Sequence, residues 1–180
     1  MRIALYQPEI AGNVGAVLRT AACLGASVDL IEPMGFAWDD KRVARAAMDY
    51  IDHVVVNRHA DWTTFERRAA GRVVLLTTKG ATPLHDLTFA ADDILLFGQE
   101  GAGVPPEVHA RADARVVIPM KPPLRSLNLA VSAAIVLAEA LRQTGGWPMP
   151  VSTTRVVEPP DPIAASQVKG FPGPLAGQRS

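Results

Sequence analysis

Ile94-Leu95-Leu96-Phe97-Gly98-Gln99-Glu100-Gly101-Ala102-Gly103-Val104-Pro105 carries the chain from an unbroken apolar run into a glycine-rich turn. Four consecutive apolar residues make a strand with no polar face, so both of its faces must be buried. The chain then enters a loop with three glycines in six positions. Glycine permits unusual backbone angles and close approach of a ligand. Pro105 and Pro106 suit the first turn of a short helix over residues 105–110. In parallel sheets the loops at the carboxyl ends of strands are where ligands sit. An ordinary mobile loop is the plainer alternative.

The pattern repeats outward in both directions. Residues 2–6, 28–31, 54–56, 73–77 and 116–118 read as short strands. Residues 14–24 read as a helix ended by Gly25. Residues 41–48 read as another, with Asp39 and Asp40 as caps, and 61–70 as a third, closed by Gly71. Residues 126–142 form the longest helix, ended by Gly145-Gly146. Strands alternating with helices predict an α/β fold, a parallel sheet with helices on both faces. The last helix is apolar nearly all round, so it is expected to be buried on more than one side, either within the domain or against a second subunit.

Composition sets the bounds. The chain has 180 residues, 48% hydrophobic and 20% charged, which fits one globular domain with a short appendage and excludes wholesale disorder. Eighteen basic residues balance eighteen acidic ones, so nucleic-acid binding must use a local patch rather than bulk charge. Candidate patches are Lys41, Arg42 and Arg45, and Arg111, Arg115, Lys121 and Arg125. Cys23 is the single cysteine and reads as a small buried hydrophobe. Four scattered histidines give no metal-binding spacing, and no metal is expected. The N-terminus lacks the apolar core of a signal peptide. The longest apolar stretch, 127–141, is broken by Asn128, Ser132 and Glu139, so no membrane span is expected and the protein is expected to be soluble and cytoplasmic. Seven of the fifteen prolines fall between Pro148 and Pro174. We therefore divide the chain into a domain over residues 1–149 and a loosely ordered proline-rich tail over 150–180.

Two further motifs join the glycine loop as candidates for chemistry. Asn13-x-Gly15-x-x-x-Arg19 stands where a strand loop enters a helix. Asn13 is placed to cap that helix. Arg19, on the same broad face as Gly15, puts a guanidinium where a phosphate could approach. A cap plus a solvated arginine is the alternative. Ile118-Pro119-Met120-Lys121-Pro122-Pro123-Leu124-Arg125-Ser126-Leu127-Asn128-Leu129 runs from a strand end through a stiff loop into the apolar helix. Ser126 is a candidate cap, the helix start offers free N–H groups, and Asn128 inside the helix needs a polar partner.

These three motifs, in this order, resemble the SPOUT class of RNA methyltransferases, within it the SpoU branch, and most nearly its TrmL (YibK-like) group of tRNA wobble-nucleotide ribose methyltransferases. Tyr6-Gln7-Pro8-Glu9-Ile10, the stretch from Ile31 through Trp38 to Arg42, and Leu76-Thr77-Thr78-Lys79-Gly80 also look like that group. The resemblance runs from about residue 2 to 147. It implies a SPOUT α/β-knot, with a deep C-terminal trefoil knot, an exception to the rule against knots. It implies S-adenosylmethionine as cofactor and an active site formed at a homodimer interface. Carried over, the cofactor touches Leu76, Thr77, Gly98, Gly103, Ile118, Ser126 and Leu127. The catalytic set is Asn13, Arg19, Glu100, Ser126 and Asn128. From the charge clusters, Lys41, Arg42, Arg45, Lys121 and Arg125 are the candidates for holding RNA, with a merely solvated face as the alternative. Three positions depart from the group: Gln99 for a usual proline, Ala102 for an arginine and Ala138 for a tyrosine.

The implied activity is that of a tRNA (cytidine(34)-2′-O)-methyltransferase, which moves a methyl from S-adenosylmethionine to the ribose 2′-hydroxyl of the wobble nucleotide. A guanidinium stays protonated, so Arg19 reads as a phosphate-binding and orienting group rather than the base. Ser126 or Glu100 would relay the proton, while Asn13 and Asn128 hold loops in place. The alternatives are a SpoU-type enzyme acting on another tRNA position or on rRNA, a non-catalytic RNA-binding module, and a small-molecule nucleotide binder.

Overall fold

The computed structural model describes residues 1–38, 48–79 and 81–149. The chain divides into two units, Met1–Pro148 and Met149–Ser180, and the sheet belongs wholly to the first. The expected caps Asp39 and Asp40, the basic residues Lys41, Arg42 and Arg45, and the tail over 150–180 lie outside the described residues. The helix expected over 41–48 does too, except for Met48, which opens a 3-10 helix, Met48–His53.

Seven strands form one sheet: β1 (Arg2–Tyr6), β2 (Ser27–Ile31), β3 (Val56–His59), β4 (Val73–Leu76), β5 (Thr82–Pro83), β6 (Ile94–Phe97) and β7 (Ala114–Val117). Their order is β3-β2-β1-β6-β4-β7-β5, and every pairing is parallel. The helices are α1 (Ala11–Leu24), α2 (Trp62–Arg68), α3 (Pro106–Arg111) and α4 (Leu129–Thr144). Alternate strand residues enter opposite cores, as the two-residue strand period requires. Ile3, Leu5, Val28, Leu30, Leu95 and Phe97 pack with α1 and α4. Ala4, Tyr6, Ile31, Leu75, Ile94 and Leu96 pack with Phe65 of α2 and Val108 of α3. The apolar runs are continuous because the sheet is covered on both faces, and the α/β reading holds.

The boundaries move where side chains serve tertiary bonds. Helix α1 starts at Ala11, three residues before the expected 14. Its N-cap Ile10 makes no side-chain bond, and Asn13 N–H already reaches the Ile10 carbonyl at 3.0 Å. Asn13 is therefore not the cap. Helix α4 starts at Leu129, so Ser126 is not its cap either. Asn128 is the cap and does not lie within the helix: its Oδ1 accepts from Ala130 N at 2.9 Å and Val131 N at 3.3 Å. Helix α2 ends at Arg68 with Ala69 as its C-cap, and Gly71 does not close it. Gly71 instead has φ +129° and crosses the Asp92 carbonyl so closely that a Cβ would sit 2.4 Å from that oxygen. The two-residue strand β5 was too short to read in sequence.

Strand β3 falls over 56–59 rather than 54–56, and two of its polar residues, exposed Asn57 and buried His59, bond to one carboxylate on β2. The buried carboxylate of Asp29 meets His59 Nε2 at 2.9 Å, Asn57 Nδ2 at 3.2 Å and Arg2 Nη1 at 3.3 Å. A buried charge needs such partners, and here they tie β1, β2 and β3 together. Cys23 is exposed, contrary to the buried hydrophobe expected of it. It lies on the outer side of α1, where its helical position rather than its residue type decides. Among the described residues, no helix is long and apolar enough to cross a membrane.

Helix α4 buries Leu129, Ala133, Val136, Leu137, Ala140 and Leu141 on one side. Val131 and Ile135 point outward, 47% and 37% exposed, so within one chain the second side of this apolar helix stays open. Toward the end of α4, Glu139 takes both nitrogens of an Arg142 fork at 2.8 Å each and Gln143 Nε2 at 2.8 Å. Hydrogen bonds from Arg142 above all, then Gln143, lower its carboxyl from 4.5 to about 2. A depressed folded pKa means that this contribution is present above the ordinary glutamate range and is lost as pH falls toward 2. In Arg142→Met, the Glu139 carboxylate followed by carbon-13 NMR should titrate well above its wild-type midpoint. An unchanged midpoint would assign the shift to Gln143 alone.

Candidate active site

The parallel register aligns the carboxyl ends of four strands. Leu5 stands beside Phe97, Leu75 beside Leu96, and Leu76 beside Val116. The loops leaving β1, β4, β6 and β7 therefore converge on one edge of the sheet. They surround a cavity of about 460 Å³, a size typical of small-molecule sites. Its lining includes all seven residues expected to touch a cofactor: Leu76, Thr77, Gly98, Gly103, Ile118, Ser126 and Leu127. Asn13, Glu100 and Asn128 also line it, as does Arg125. The reading missed Ile10, Phe97, Met120 and Ser132, which line it as well. Ser132 lies one helical turn after Asn128, and that spacing was the available signal.

One hydrogen-bond chain joins the three motifs. Glu100 Oε1 accepts from Asn13 Nδ2 at 2.9 Å, and Asn13 Oδ1 accepts from Asn128 Nδ2 at 2.9 Å. Asn128 Oδ1 then receives the first N–H groups of α4. Both ends set the direction. An ionised carboxylate only accepts, and a helix N-terminus only donates, so each amide between them has one orientation that satisfies both. Glu100 Oε2 is also engaged, accepting from Glu9 N at 2.8 Å. Each such bond is worth about 1 kcal/mol net, and those to the carboxylate more.

The glycine loop is a pinched ring. Gln99 and Gly103 exchange backbone hydrogen bonds at 2.9 and 3.0 Å. Gly98 lies so close beneath Gly103 that a Cβ there would stand 2.4 Å from the Gly103 carbonyl carbon. Gly103 itself has φ +73°. Gln99 Nε2 donates to Gln7 Oε1 at 2.9 Å, which ties the departing proline position to the end of β1.

The basic residues scatter. Arg19 does not line the cavity; it is exposed on α1 with its guanidinium 5.2 Å from the Tyr50 ring centre. Gly15 is buried, so the two do not present one common surface as expected. Arg111 pairs with Glu66 at 2.9 Å and Asp113 at 3.3 Å, and Arg115 Nη2 donates to the His109 carbonyl at 2.8 Å. Neither joins Arg125 at the cavity, so the second expected basic patch is divided. Lys121 is exposed and outside the lining. Among the described residues, no group of three or more His, Cys, Asp or Glu could hold a metal ion.

The sequence profile of the SpoU rRNA Methylase family matches residues 1–138. The chain belongs to the SpoU rRNA methylase family. A relative from Beijerinckia indica, named tRNA (cytidine(34)-2'-O)-methyltransferase, is 56% identical over 146 residues, covering 79% of this chain and 91% of its own. A solved structure described as giving structural insights into the 2-OH methylation of C/U34 on tRNA superposes with TM-score 0.75 at 42% identity, covering 79% of this chain and 94% of that one. An AdoMet-bound rRNA methyltransferase from Sinorhizobium meliloti superposes with TM-score 0.72 at 32% identity, covering 78% of this chain and 55% of that one. The fold of this chain is that of the SpoU methyltransferases.

Three variants test the geometry of this SpoU site. Asn128→Asp keeps the capping oxygen but turns an oxygen toward Asn13 Oδ1, whereas Asn128→Ala loses cap and link together. Urea denaturation should show a loss of about 1 kcal/mol for the first and about 2 kcal/mol for the second. An Asp variant as stable as wild type would mean that the Asn13 link contributes nothing. Gly98→Ala forces backbone against backbone and should cost about 1–3 kcal/mol in the same assay. A neutral result would show that the ring can open freely.

Proposed function

We propose that this chain is an S-adenosylmethionine-dependent RNA methyltransferase that modifies the ribose 2′-hydroxyl of the wobble nucleotide, cytidine or modified uridine, in tRNA. The observation that carries this is the single cavity wall built from all three motifs and closed by the Glu100–Asn13–Asn128 chain. Relatives that this chain matches over most of their length carry the same activity in their names.

The cavity suits the cofactor chemically. Leu76, Phe97, Ile118 and Leu127 offer apolar surface to a base, and Gly98 and Gly103 bring bare backbone to the rim. Glu100 supplies negative charge at the wall, the sign that suits a sulfonium. When bound, S-adenosylmethionine supplies an electrophilic methyl group. The ribose 2′-oxygen would take that methyl group, and the hydroxyl proton must be passed on. Both oxygens of Glu100 already accept hydrogen bonds, so of the two relay candidates the reading favours the Ser126 hydroxyl. Arg125 at the cavity and exposed Lys121 beside it are placed to meet phosphates, and Lys41, Arg42 and Arg45 are proposed to add to them.

The same reading makes the enzyme a knotted cytoplasmic homodimer. The open apolar side of α4 and exposed Leu124 and Leu127 beside the cavity support a second copy there. Arg19, which does not line its own cavity, would then act across the interface as the phosphate-binding and orienting group. Residues 1–149 would form the catalytic domain, with 150–180 as an appended tail.

Labelled methyl transfer into undermodified tRNA, followed by nuclease mapping, tests the proposal. The expected result is label on the ribose of the wobble nucleotide, lost in Arg19→Ala. Label in rRNA but not in tRNA would overturn the substrate, and transfer unaffected by Arg19→Ala would overturn the role of that arginine.

A further inference from the structure

We propose that Glu9 is a positioning residue that sets the cofactor-facing shape of the glycine loop from outside the cavity. It rests on the reading of that cavity as the cofactor site. Glu9 lies in the loop between β1 and α1 and does not line the cavity. It grips two consecutive residues of the loop after β6, from opposite directions. Its backbone N–H donates to Glu100 Oε2 at 2.8 Å, and its carboxylate Oε2 accepts from Gly101 N at 2.7 Å. The two glutamates thus form a reciprocal clasp across two loops that are 91 and 92 residues apart in sequence.

The clasp is backed from behind. Gly35 N–H donates to the Pro8 carbonyl at 2.9 Å. A Cβ on Gly35 would stand 2.8 Å from Glu9 Cα, so the loop after β2 presses on the Glu9 backbone. The cavity wall formed by Gly98, Gln99, Glu100 and Gly103 has its own ring closure between Gln99 and Gly103. Residues 100 and 101 at the tip of that ring are held by Glu9 and, through Glu100, by Asn13. Removing the Glu9 carboxylate leaves the exposed Gly101 N–H to water, which costs the fold little. It frees the tip, and the cofactor must then order it on binding.

The test is isothermal titration of the full-length chain with S-adenosylhomocysteine, which needs no RNA. Glu9→Ala should bind about tenfold more weakly, the worth of one charge-assisted hydrogen bond. Glu9→Gln keeps an acceptor oxygen on an arm of the same length and should stay within about twofold of wild type. Thermal midpoints of all three should agree. The Gly101 amide proton should move upfield in Glu9→Ala and largely recover in Glu9→Gln. Glu9→Ala binding as tightly as wild type overturns the inference alone. So does a Glu9→Gln as weak as Glu9→Ala with both midpoints lowered, which marks a structural role. A wild type that binds no S-adenosylhomocysteine overturns the reading of the cavity, and this inference with it.

Discussion

The carboxylate of Glu100 is the point on which the site is hung. It accepts from Asn13 through one oxygen and from the Glu9 backbone through the other, and an ionised carboxylate has nothing to donate. That single constraint orients Asn13, which orients Asn128, which leaves an oxygen facing the unpaired N–H groups of α4. Three segments far apart in sequence are therefore joined by bonds whose donors and acceptors match in only one sense. The start of α4, the loop before α1 and the glycine loop take their relative positions from it.

The sheet makes this junction possible. Parallel register puts the ends of β1, β4, β6 and β7 on one edge, so their loops have to meet. Gly98 and Gly103 then let two backbones pack where side chains would collide. At Gly98 and Gly103 the wall is bare backbone, which limits how far that part can yield when a ligand enters. The start of α4 contributes Leu129 and Ser132 to the cavity, while Val131 and Ile135 on its outward side stay exposed.

Much of this was legible in the order of residues, for identifiable reasons. Unbroken apolar runs such as Ile94–Phe97 mark strands covered on both faces, and the glycines after them mark a close approach. Leu76, Thr77 and Ile118, which line the cavity, were named through the resemblance to the SPOUT class and not through any local pattern. Asn13 and Asn128 were harder. A local rule makes an asparagine near a helix start its cap; it holds for Asn128 and fails for Asn13, whose amide is spent on Glu100 and Asn128. Polar β3 was misplaced because the carboxylate that Asn57 and His59 bond to, Asp29, lies 28 to 30 residues away.

Sequence alone was enough for most of the elements, their parallel arrangement and the chemistry of the motifs, since these depend on periodicity and on residue type within a few positions. Tertiary structure alone decided which polar groups meet. The clasp of Glu9 on Gly101, the direction of the amide chain and the placement of Arg19 away from its own cavity rest on contacts between distant segments. Hydrogen bonding acts over about 3 Å, and no pattern along the chain encodes which side chains folding will bring that close.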